Sequence, residues 1–250
     1  MSDLRFTDSN SFFPKGTWAF NLPSGFTCPG ALLCLRYANR ETGKQTQGKE
    51  AKFQCYSAHV ERWPSIRKIV WGNFDALKNM NIDQMVIALH EALPKKAKRV
   101  RVHAHGDFFS QTYFDAWMLV ALRNPDVKFW AFTKSIPFWI RRKSDIPSNF
   151  CLTASMGGKY DDLAKEHKFK TAYMVNSVEE AQALGLKVDY DDTLASEGSE
   201  DFALICWSPF RASRKERFEA AKETGNEQAN DNPDYDTHPH WPGEQRKRTK

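Results

Sequence analysis

The sequence predicts an α/β fold, namely a partial (β/α)6 TIM-barrel-like domain with a mainly parallel sheet and a polar C-terminal tail. The chain has 250 residues, of which 41% are hydrophobic, so it can bury one sizeable core. Short β-branched and aromatic segments alternate with helical segments, which is typical of βαβ units. From residue 208 onward the sequence is polar and has no apolar period. We therefore expect one domain over 1–207 and a charged helix with an extended or disordered tail over 208–250.

The predicted elements alternate along the domain. Apolar segments flanked by turn residues predict six parallel strands, at 17–23, 99–104, 127–133, 150–156, 170–176 and 201–207. Helical spacing of apolar residues predicts helices over 56–79, 82–93 and 110–124, and in the segments PFWIRRK, YDDLAKEHK and SVEEAQALG. Pro64 must kink the first of these helices or begin a new one. Ser110 caps the third helix, and Gly185 closes the last one.

Composition and charge narrow the class of protein. The net charge is +5, from 36 basic and 31 acidic residues, which gives mixed surfaces and does not by itself indicate a nucleic-acid partner. No apolar run approaches the ~18 residues of a membrane span, and the first residues lack the pattern of a signal peptide. We expect a cytoplasmic protein without a membrane partner, in the host cytoplasm if a phage encodes it.

Five cysteines are the residues most suited to chemistry. In a reducing cytoplasm, an odd number of thiols is not expected to form structural disulfides. Cys28, Cys34 and Cys55 lie in the long loop 24–56 after the first strand, and Cys206 ends the last strand. Ligands bind at the carboxyl ends of parallel strands, so these four thiols map to one rim if the last strand neighbours the first. Cys151 begins its strand and should lie at the opposite end or in the core.

Four thiolates from loops can hold a tetrahedral zinc ion or an iron–sulfur cluster. The C-x5-C-x20-C spacing is not that of zinc fingers and does not identify the metal. One alternative is that these cysteines are small buried apolar residues. Another is a zinc-stabilised binding module, which would contact its partner through the tail residues Arg246, Lys247 and Arg248.

The stretch RVHAHGDFF, residues 101–109, allows three interpretations. If the strand continues through it, His103 and His105 share one face and could hold a divalent metal for a nicking Tyr113. The protein would then be a rolling-circle replication initiator endonuclease of the HUH type. Alternatively, His103 is a buried strand histidine, with His105 and Asp107 in a polar loop. In the third interpretation, His105 and Asp107 face the same cavity as the cysteines.

Five blocks of the sequence carry a resemblance to a known family. In chain order they are FNLPSGFTCPGALLC, QCYSA, RVHAHGDFFSQTYFDAW, NPDVKFWAFTKS and PSNFCLTASMGG. Over roughly residues 17–160, the chain resembles the phage family called gene product 88. More distantly, its layout is similar to that of radical S-adenosylmethionine enzymes, which bind a [4Fe-4S] cluster in a cysteine loop after the first strand of a partial barrel.

We expect one [4Fe-4S] cluster with Cys28, Cys34, Cys55 and Cys206 as its ligands, because these four thiols map to one rim and the more distant resemblance implies such a cluster. The loop departs from those enzymes, because C-x5-C-x20-C replaces C-x3-C-x2-C. If Cys206 is a ligand, no iron is left open for S-adenosylmethionine. The resemblance therefore implies either a redox or electron-transfer protein or, with one iron open, a radical-S-adenosylmethionine-like enzyme.

The same resemblance implies a cofactor-binding role for His105, Gly106 and Asp107. They stand in the place of a Gly-Gly-Glu type motif that contacts the amino group of S-adenosylmethionine, with Asp where Glu is usual. A cluster held by four thiolates is negative, and Lys134, Arg36 and the helix that begins at Cys55 could offset its charge. The expected partner is an electron donor or acceptor or a small-molecule substrate, and nucleic acid is not favoured.

Overall fold

The computed structural model describes residues 4–8, 13–14 and 16–206. Its strands are β1 (Phe6–Asp8), β2 (Thr17–Phe20), β3 (Arg36–Ala38), β4 (Gln45–Gln47), β5 (Arg99–Val102), β6 (Lys128–Thr133), β7 (Phe150–Ser155), β8 (Thr171–Val175), β9 (Lys187–Val188) and β10 (Phe202–Ile205). Its helices are α1 (Tyr56–Val60), α2 (Pro64–Leu77), α3 (Ile82–Ala92), α4 (Gln111–Arg123), α5 (Ile136–Ile140), α6 (Asp161–Glu166), α7 (Val178–Ala183) and α8 (Thr193–Glu197).

Eight strands form one sheet in the order β1-β2-β5-β6-β7-β8-β10-β9, and β3 pairs with β4 in a separate hairpin. Strands β2, β5, β6, β7, β8 and β10 run parallel and follow one another in chain order. Strand β1 is antiparallel at one edge, and β9 is a short parallel strand at the other. The predicted α/β fold with a mainly parallel sheet is therefore confirmed, and its central strands have the sequential order of a partial barrel.

The predicted boundaries of the main elements are confirmed to within a few residues. Pro64 begins a new helix instead of kinking the old one, because Trp63 before it is extended, with φ −83° and ψ 127°. Ser110 caps α4, since its Oγ accepts a hydrogen bond from the Tyr113 amide at 3.2 Å. Gly185 follows α7 with φ +69°, the left-handed conformation that ends many helices.

One expectation about a strand is wrong, and the last strand is not paired with the first. Strand β5 ends at Val102 and does not reach residue 104, because His103 adopts φ +72° and turns the chain out of the sheet. The last strand does not pair with the first: β2 lies between β1 and β5, whereas β10 lies between β8 and β9. Five steps of about 4.8 Å separate β2 from β10 along the sheet.

The sequence did not predict β1, the β3–β4 hairpin, β9 or α8. These elements have two to five residues each, and contacts with distant parts of the chain determine them. The predicted tail over 208–250, with Arg246, Lys247 and Arg248, lies outside the described residues.

Apolar side chains cover both faces of the sheet. On one face, Phe20, Val100 and Phe129 pack in a fully buried cluster with Leu89 of α3 and Trp117 of α4. Burial on both faces is what a parallel sheet requires, because its crossover connections place further chain over the strands.

The opposite face carries a smaller cluster of Trp130, Ala172 and Phe202, closed by Ala195 of α8. Cys151, the second residue of β7, packs against this cluster, as expected for the one cysteine predicted away from the rim.

The segment between β2 and α1, called here the cysteine loop (residues 21–55), lies across the carboxyl ends of the strands. The Leu22 amide donates to the carbonyl of His105 at 3.0 Å, just after β5. The Lys159 amide, after β7, donates to the carbonyl of Gly30 at 2.9 Å. Gly30 packs so closely that a Cβ there would lie 1.9 Å from the carbonyl oxygen of Lys134, the residue after β6. The cysteine loop is thus held against three neighbouring strand ends.

Gly30→Ala is expected to lower the free energy of unfolding by about 1–3 kcal/mol, because its methyl group must push the cysteine loop off the end of β6. Gly72→Ala is the matched control. Gly72 lies within α2 with open space around it, so alanine there should stabilise the protein by about 0.5–1 kcal/mol. Chemical unfolding followed by circular dichroism measures both changes. A Gly30→Ala protein as stable as Gly72→Ala would contradict the close approach of the loop.

Candidate functional site

Three of the four predicted rim cysteines lie near one another. Each of the pairs Cys28–Cys55, Cys28–Cys34 and Cys34–Cys55 interacts electrostatically, one thiolate raising the pKa of the other. The amides of Lys52 and Phe53 also donate to the carbonyl of Leu33, at 2.8 and 3.3 Å, so the segments that carry Cys34 and Cys55 lie side by side. The cysteine loop therefore brings together residues that lie up to 27 positions apart in the sequence.

Burial is the main influence on all three thiols. It raises the pKa of Cys28 well above its ordinary value, with further increases from Asp107, Cys55 and Cys34. It also raises the pKa of Cys55 to about 11, and the pKa of Cys34 is raised for the same reason. At neutral pH the metal-free protein thus holds neutral thiols, which must lose their protons when they bind a metal.

Hydrogen-bond donors and one cation lower the pKa values of the same thiols and so oppose the effect of burial. The Gly25 amide donates to Sγ of Cys28 at 3.3 Å and lowers the pKa of that thiol. The Lys134 ammonium lowers the pKa of Cys34, and the amides of Ala58 and Ser57 lower that of Cys55. The same groups would stabilise the thiolate form of each cysteine in a metal complex.

No single metal ion has a ready-made site among the described residues. Among the described residues, no group of three or more His, Cys, Asp or Glu side chains converges closely enough to hold one ion. A zinc ion with Zn–S bonds of about 2.3 Å would require sulfur atoms about 4 Å apart. An iron–sulfur cluster is larger, so it binds thiolates that are further apart.

Asp107 lies at the centre of the rim and ties two loops together. Its Oδ1 accepts hydrogen bonds from the Phe108 amide and from Oγ1 of Thr133, both at 2.7 Å, and its Oδ2 accepts from the Lys134 amide at 2.8 Å. Burial raises the pKa of Asp107 to about 6 even though these bonds lower it. Both carboxylate oxygens of Asp107 therefore accept hydrogen bonds from groups of the protein itself. The predicted contact of Asp107 with a cofactor stays a prediction.

Gly106, before Asp107, has φ +80°, and a Cβ there would lie 2.5 Å from Oγ1 of Thr27. Only glycine suits both this conformation and this contact, so Gly106 lets the loop after β5 meet the cysteine loop.

Lys134 is buried, which its position in a loop did not indicate. Its ammonium donates to the carbonyl and the Oγ of Ser155, both at 2.8 Å, and to the carbonyl of Met156 at 2.5 Å. These bonds use all three donors of the ammonium group. Its positive charge therefore stays fixed beside Cys34, at the end of β7.

His105 belongs to a buried polar pair that the sequence analysis missed. Its Nδ1 lies 3.6 Å from Oε1 of Glu61, which also accepts from the amide and Oγ of Ser24 at 2.9 and 2.5 Å. Within the described residues, neither Nδ1 of His105 nor Oε2 of Glu61 has a hydrogen-bond partner, and Glu61 also raises the pKa of Cys55. A glutamate among the apolar positions of YSAHVERW was the signal available in the sequence.

His103 and Tyr113 lie in the core and not at the rim. Nε2 of His103 is 2.9 Å from the Tyr113 hydroxyl, and the Tyr113 side chain is fully buried. The turn at His103 also separates its ring from that of His105, which contacts Tyr56 instead. A tyrosine in this position cannot reach a DNA phosphate, which argues against the nicking endonuclease.

Cys206 follows β10, and its amide donates to the carbonyl of Val175 at 2.7 Å. Strand pairing gives no support to its proximity to Cys28, because four strands lie between β2 and β10. Its role as a fourth ligand stays a prediction.

The fold and the site together define a class: an α/β protein with a sequentially ordered parallel sheet and three convergent thiols at its carboxyl rim. Residues 5–225 match the profile of the family described as Gene product 88, and the chain therefore belongs to that family. No solved structure matches the chain, and the similarity to radical S-adenosylmethionine enzymes stays a prediction.

Two phage proteins are similar to this chain. The Gene 88 protein of Mycobacterium phage L5 is 26% identical over 197 residues, which cover 74% of this chain and 70% of that protein. The Gene 88 protein of Mycobacterium phage D29 is also 26% identical over 197 residues, covering 74% of this chain and 69% of that protein.

In the described part of the chain, no helix is both long and apolar enough to cross a bilayer.

Acid should destabilise the protein through His103. Burial, with Arg101, lowers the pKa of His103 from 6.5 to about 3, so below pH 6.5 the unfolded chain binds a proton that the native protein excludes. Its contribution to the free energy of unfolding should fall by about 1.4 kcal/mol per pH unit between about pH 6 and 4. Asp107 acts in the opposite direction over this range, because its native pKa is raised.

The variant His103→Asn isolates this effect, since asparagine tolerates a positive φ and does not titrate. Urea unfolding at several pH values should show the stability difference between wild type and His103→Asn shrinking as the pH falls. A difference that stays constant with pH would contradict the buried neutral histidine.

Proposed function

We propose that this protein binds one [4Fe-4S] cluster through Cys28, Cys34 and Cys55 in the host cytoplasm. The supporting observation is a cysteine loop that is held against the carboxyl ends of the strands and carries three half-buried thiols, with the segments of Cys34 and Cys55 joined by backbone hydrogen bonds. Unpaired thiols at a rim suit metal ligation in a reducing compartment.

The residues around the thiols suit such a cluster. Thiolates are the usual ligands of iron–sulfur clusters, and amide donors to sulfur together with nearby cations tune their potential. Here the Gly25 amide is a donor to sulfur, and the buried Lys134 ammonium is a nearby cation. When bound, the cluster would supply one-electron chemistry, and the chain's own residues would set its solvation and charge.

Two roles follow from the identity of the fourth ligand. With Cys206 as a ligand, the site would be closed and would suit electron transfer or redox sensing. With three protein ligands, one iron would be open to an exogenous molecule such as S-adenosylmethionine, as in a radical-S-adenosylmethionine-like enzyme. Strand pairing alone does not decide between the two roles, because separation along a curled sheet is not the distance between its outer strands.

The pair of His105 and Glu61 suits the open site. The unsatisfied Nδ1 and Oε2 atoms lie close to Cys55, where they could hold polar groups of a small-molecule ligand. Gly106 and Asp107 would keep the rim loops in place around that ligand.

Anaerobic purification with iron and sulfide assays tests the cluster. We expect a brown protein with thiolate-to-iron charge-transfer absorption and about four irons per chain. Cys28→Ala, Cys34→Ala and Cys55→Ala should each lose most of the iron, because each removes one of three ligands. Cys151→Ala is the matched control and should keep the iron, since Cys151 packs in the core. A colourless protein, or one that contains only zinc, would contradict the proposal.

The variant Cys206→Ala distinguishes the two roles. We expect it to keep a full complement of iron, and the wild-type cluster to change its electron paramagnetic resonance spectrum when S-adenosylmethionine is added. Loss of the cluster in Cys206→Ala, with no spectral change in the wild type, would instead indicate a closed electron-transfer site.

A further inference from the structure

The net positive charge of the protein is concentrated in one segment. Residues 36–78 contain nine of the 36 basic residues but only four of the 31 acidic ones, so the remaining 27 basic and 27 acidic residues balance. One of those four acids, Glu61, is fully buried. The basic side chains exposed in this segment are those of Arg40, Lys44, Lys49, Lys52, Arg62, Lys68 and Lys78.

An aromatic cluster lies beside two of these cations, Arg40 and Lys78. Phe26 is the only aromatic ring among the exposed large apolar side chains of the described residues, with 49% of its surface accessible. Its ring contacts Tyr37 of β3 at 5.0 Å and Trp71 of α2 at 4.9 Å between centroids. The guanidinium of Arg40 lies over the Trp71 ring at 4.8 Å and also pairs with Asp75. We call Phe26, Tyr37, Trp71, Arg40 and Lys78, with Lys68 one turn before Trp71 on α2, the basic aromatic face.

A buried arginine makes this face rigid. The guanidinium of Arg67 donates to the carbonyls of Arg40 and Glu41 in the turn between β3 and β4, at 3.0 and 2.9 Å. It also donates to the carbonyls of Glu61 and Arg62 before α2, at 2.9 and 2.6 Å. The hairpin and the helix that form the face are therefore fixed to each other before any partner arrives.

We infer that the basic aromatic face binds single-stranded DNA. Exposed lysines and arginines track a phosphate backbone, and exposed rings stack on bases that are not already paired. A duplex keeps its bases stacked inside, so Phe26 could not contribute to duplex binding. The face presents mainly donors, which suit phosphates, and its Asp75 is already bound to Arg40 and Lys78. None of these contacts requires the 2′-hydroxyl that distinguishes RNA, so a DNA strand supplies every group that the face would bind.

Fluorescence anisotropy with the full chain and a labelled strand of about 20 thymidines tests this inference. The wild type should bind the strand more tightly than a duplex of the same length, with an affinity that falls steeply with salt. Phe26→Leu should bind about tenfold more weakly, because it loses the stacking ring but keeps an apolar side chain. Lys68→Gln should reduce the slope of log affinity against log salt by about 0.7, the loss of one phosphate contact.

Matched controls separate the face from the rest of the chain. Leu184→Ala alters an equally exposed apolar side chain, and Lys165→Gln removes an exposed charge on α6, so both should bind as the wild type does. Iron content and melting temperature, measured for every variant, show whether Phe26→Leu leaves the nearby thiol site and the fold intact. Wild-type binding by both Phe26→Leu and Lys68→Gln would overturn the inference, as would equal affinity for duplex or a clear preference for RNA. Binding to DNA does not require the cluster, so either proposal can fail while the other stands.

Discussion

The carboxylate of Asp107 is the constraint on which the rim depends. A buried carboxylate is costly unless it is well hydrogen-bonded, and this one binds the amide of Lys134 and the hydroxyl of Thr133, both from the next strand's end. Those bonds fix the backbone of Lys134, against which Gly30 of the cysteine loop packs. The position of the three thiols therefore follows from one buried negative charge in the neighbouring loop.

The charges around the rim favour neutral thiols in the metal-free protein. Asp107 and Glu61 are negative or polar groups beside the thiols, and they oppose thiolate formation. The Lys134 ammonium lies beside Cys34 but is bound by carbonyls of β7 and the residue that follows it. Without metal the neutral thiols are the favoured state. A cationic centre bound to the thiolates would relieve the repulsion among these groups.

The sequence predicted the sheet well because strands and helices alternate strongly, and because Pro64 and Ser110 mark helix starts. It placed Cys28, Cys34 and Cys55 in one loop because all three follow the first strand. It could not determine where Cys206 lies relative to that loop, since strand neighbours depend on the long-range order of the whole sheet, in which β10 is not paired with β2. The sequence did not predict the burial of Glu61, because that burial depends on the contact between the end of α1 and Ser24 of the cysteine loop. The chain turns at His103 because this residue has a positive φ, which no local sequence pattern predicts.

The four hydrogen bonds from Arg67 to backbone carbonyls also reduce the entropy that the cysteine loop must lose when its thiols come together. Twenty residues separate Cys34 from Cys55, and a flexible segment of that length loses entropy when its ends are brought together. Arg67 fastens the middle of this segment, at Arg40 and Glu41, to the chain just beyond Cys55. Most of the loop-closure entropy is then lost during folding, so the third thiol joins the other two at little additional cost. The long spacing between the ligands is thereby compatible with a preorganised site.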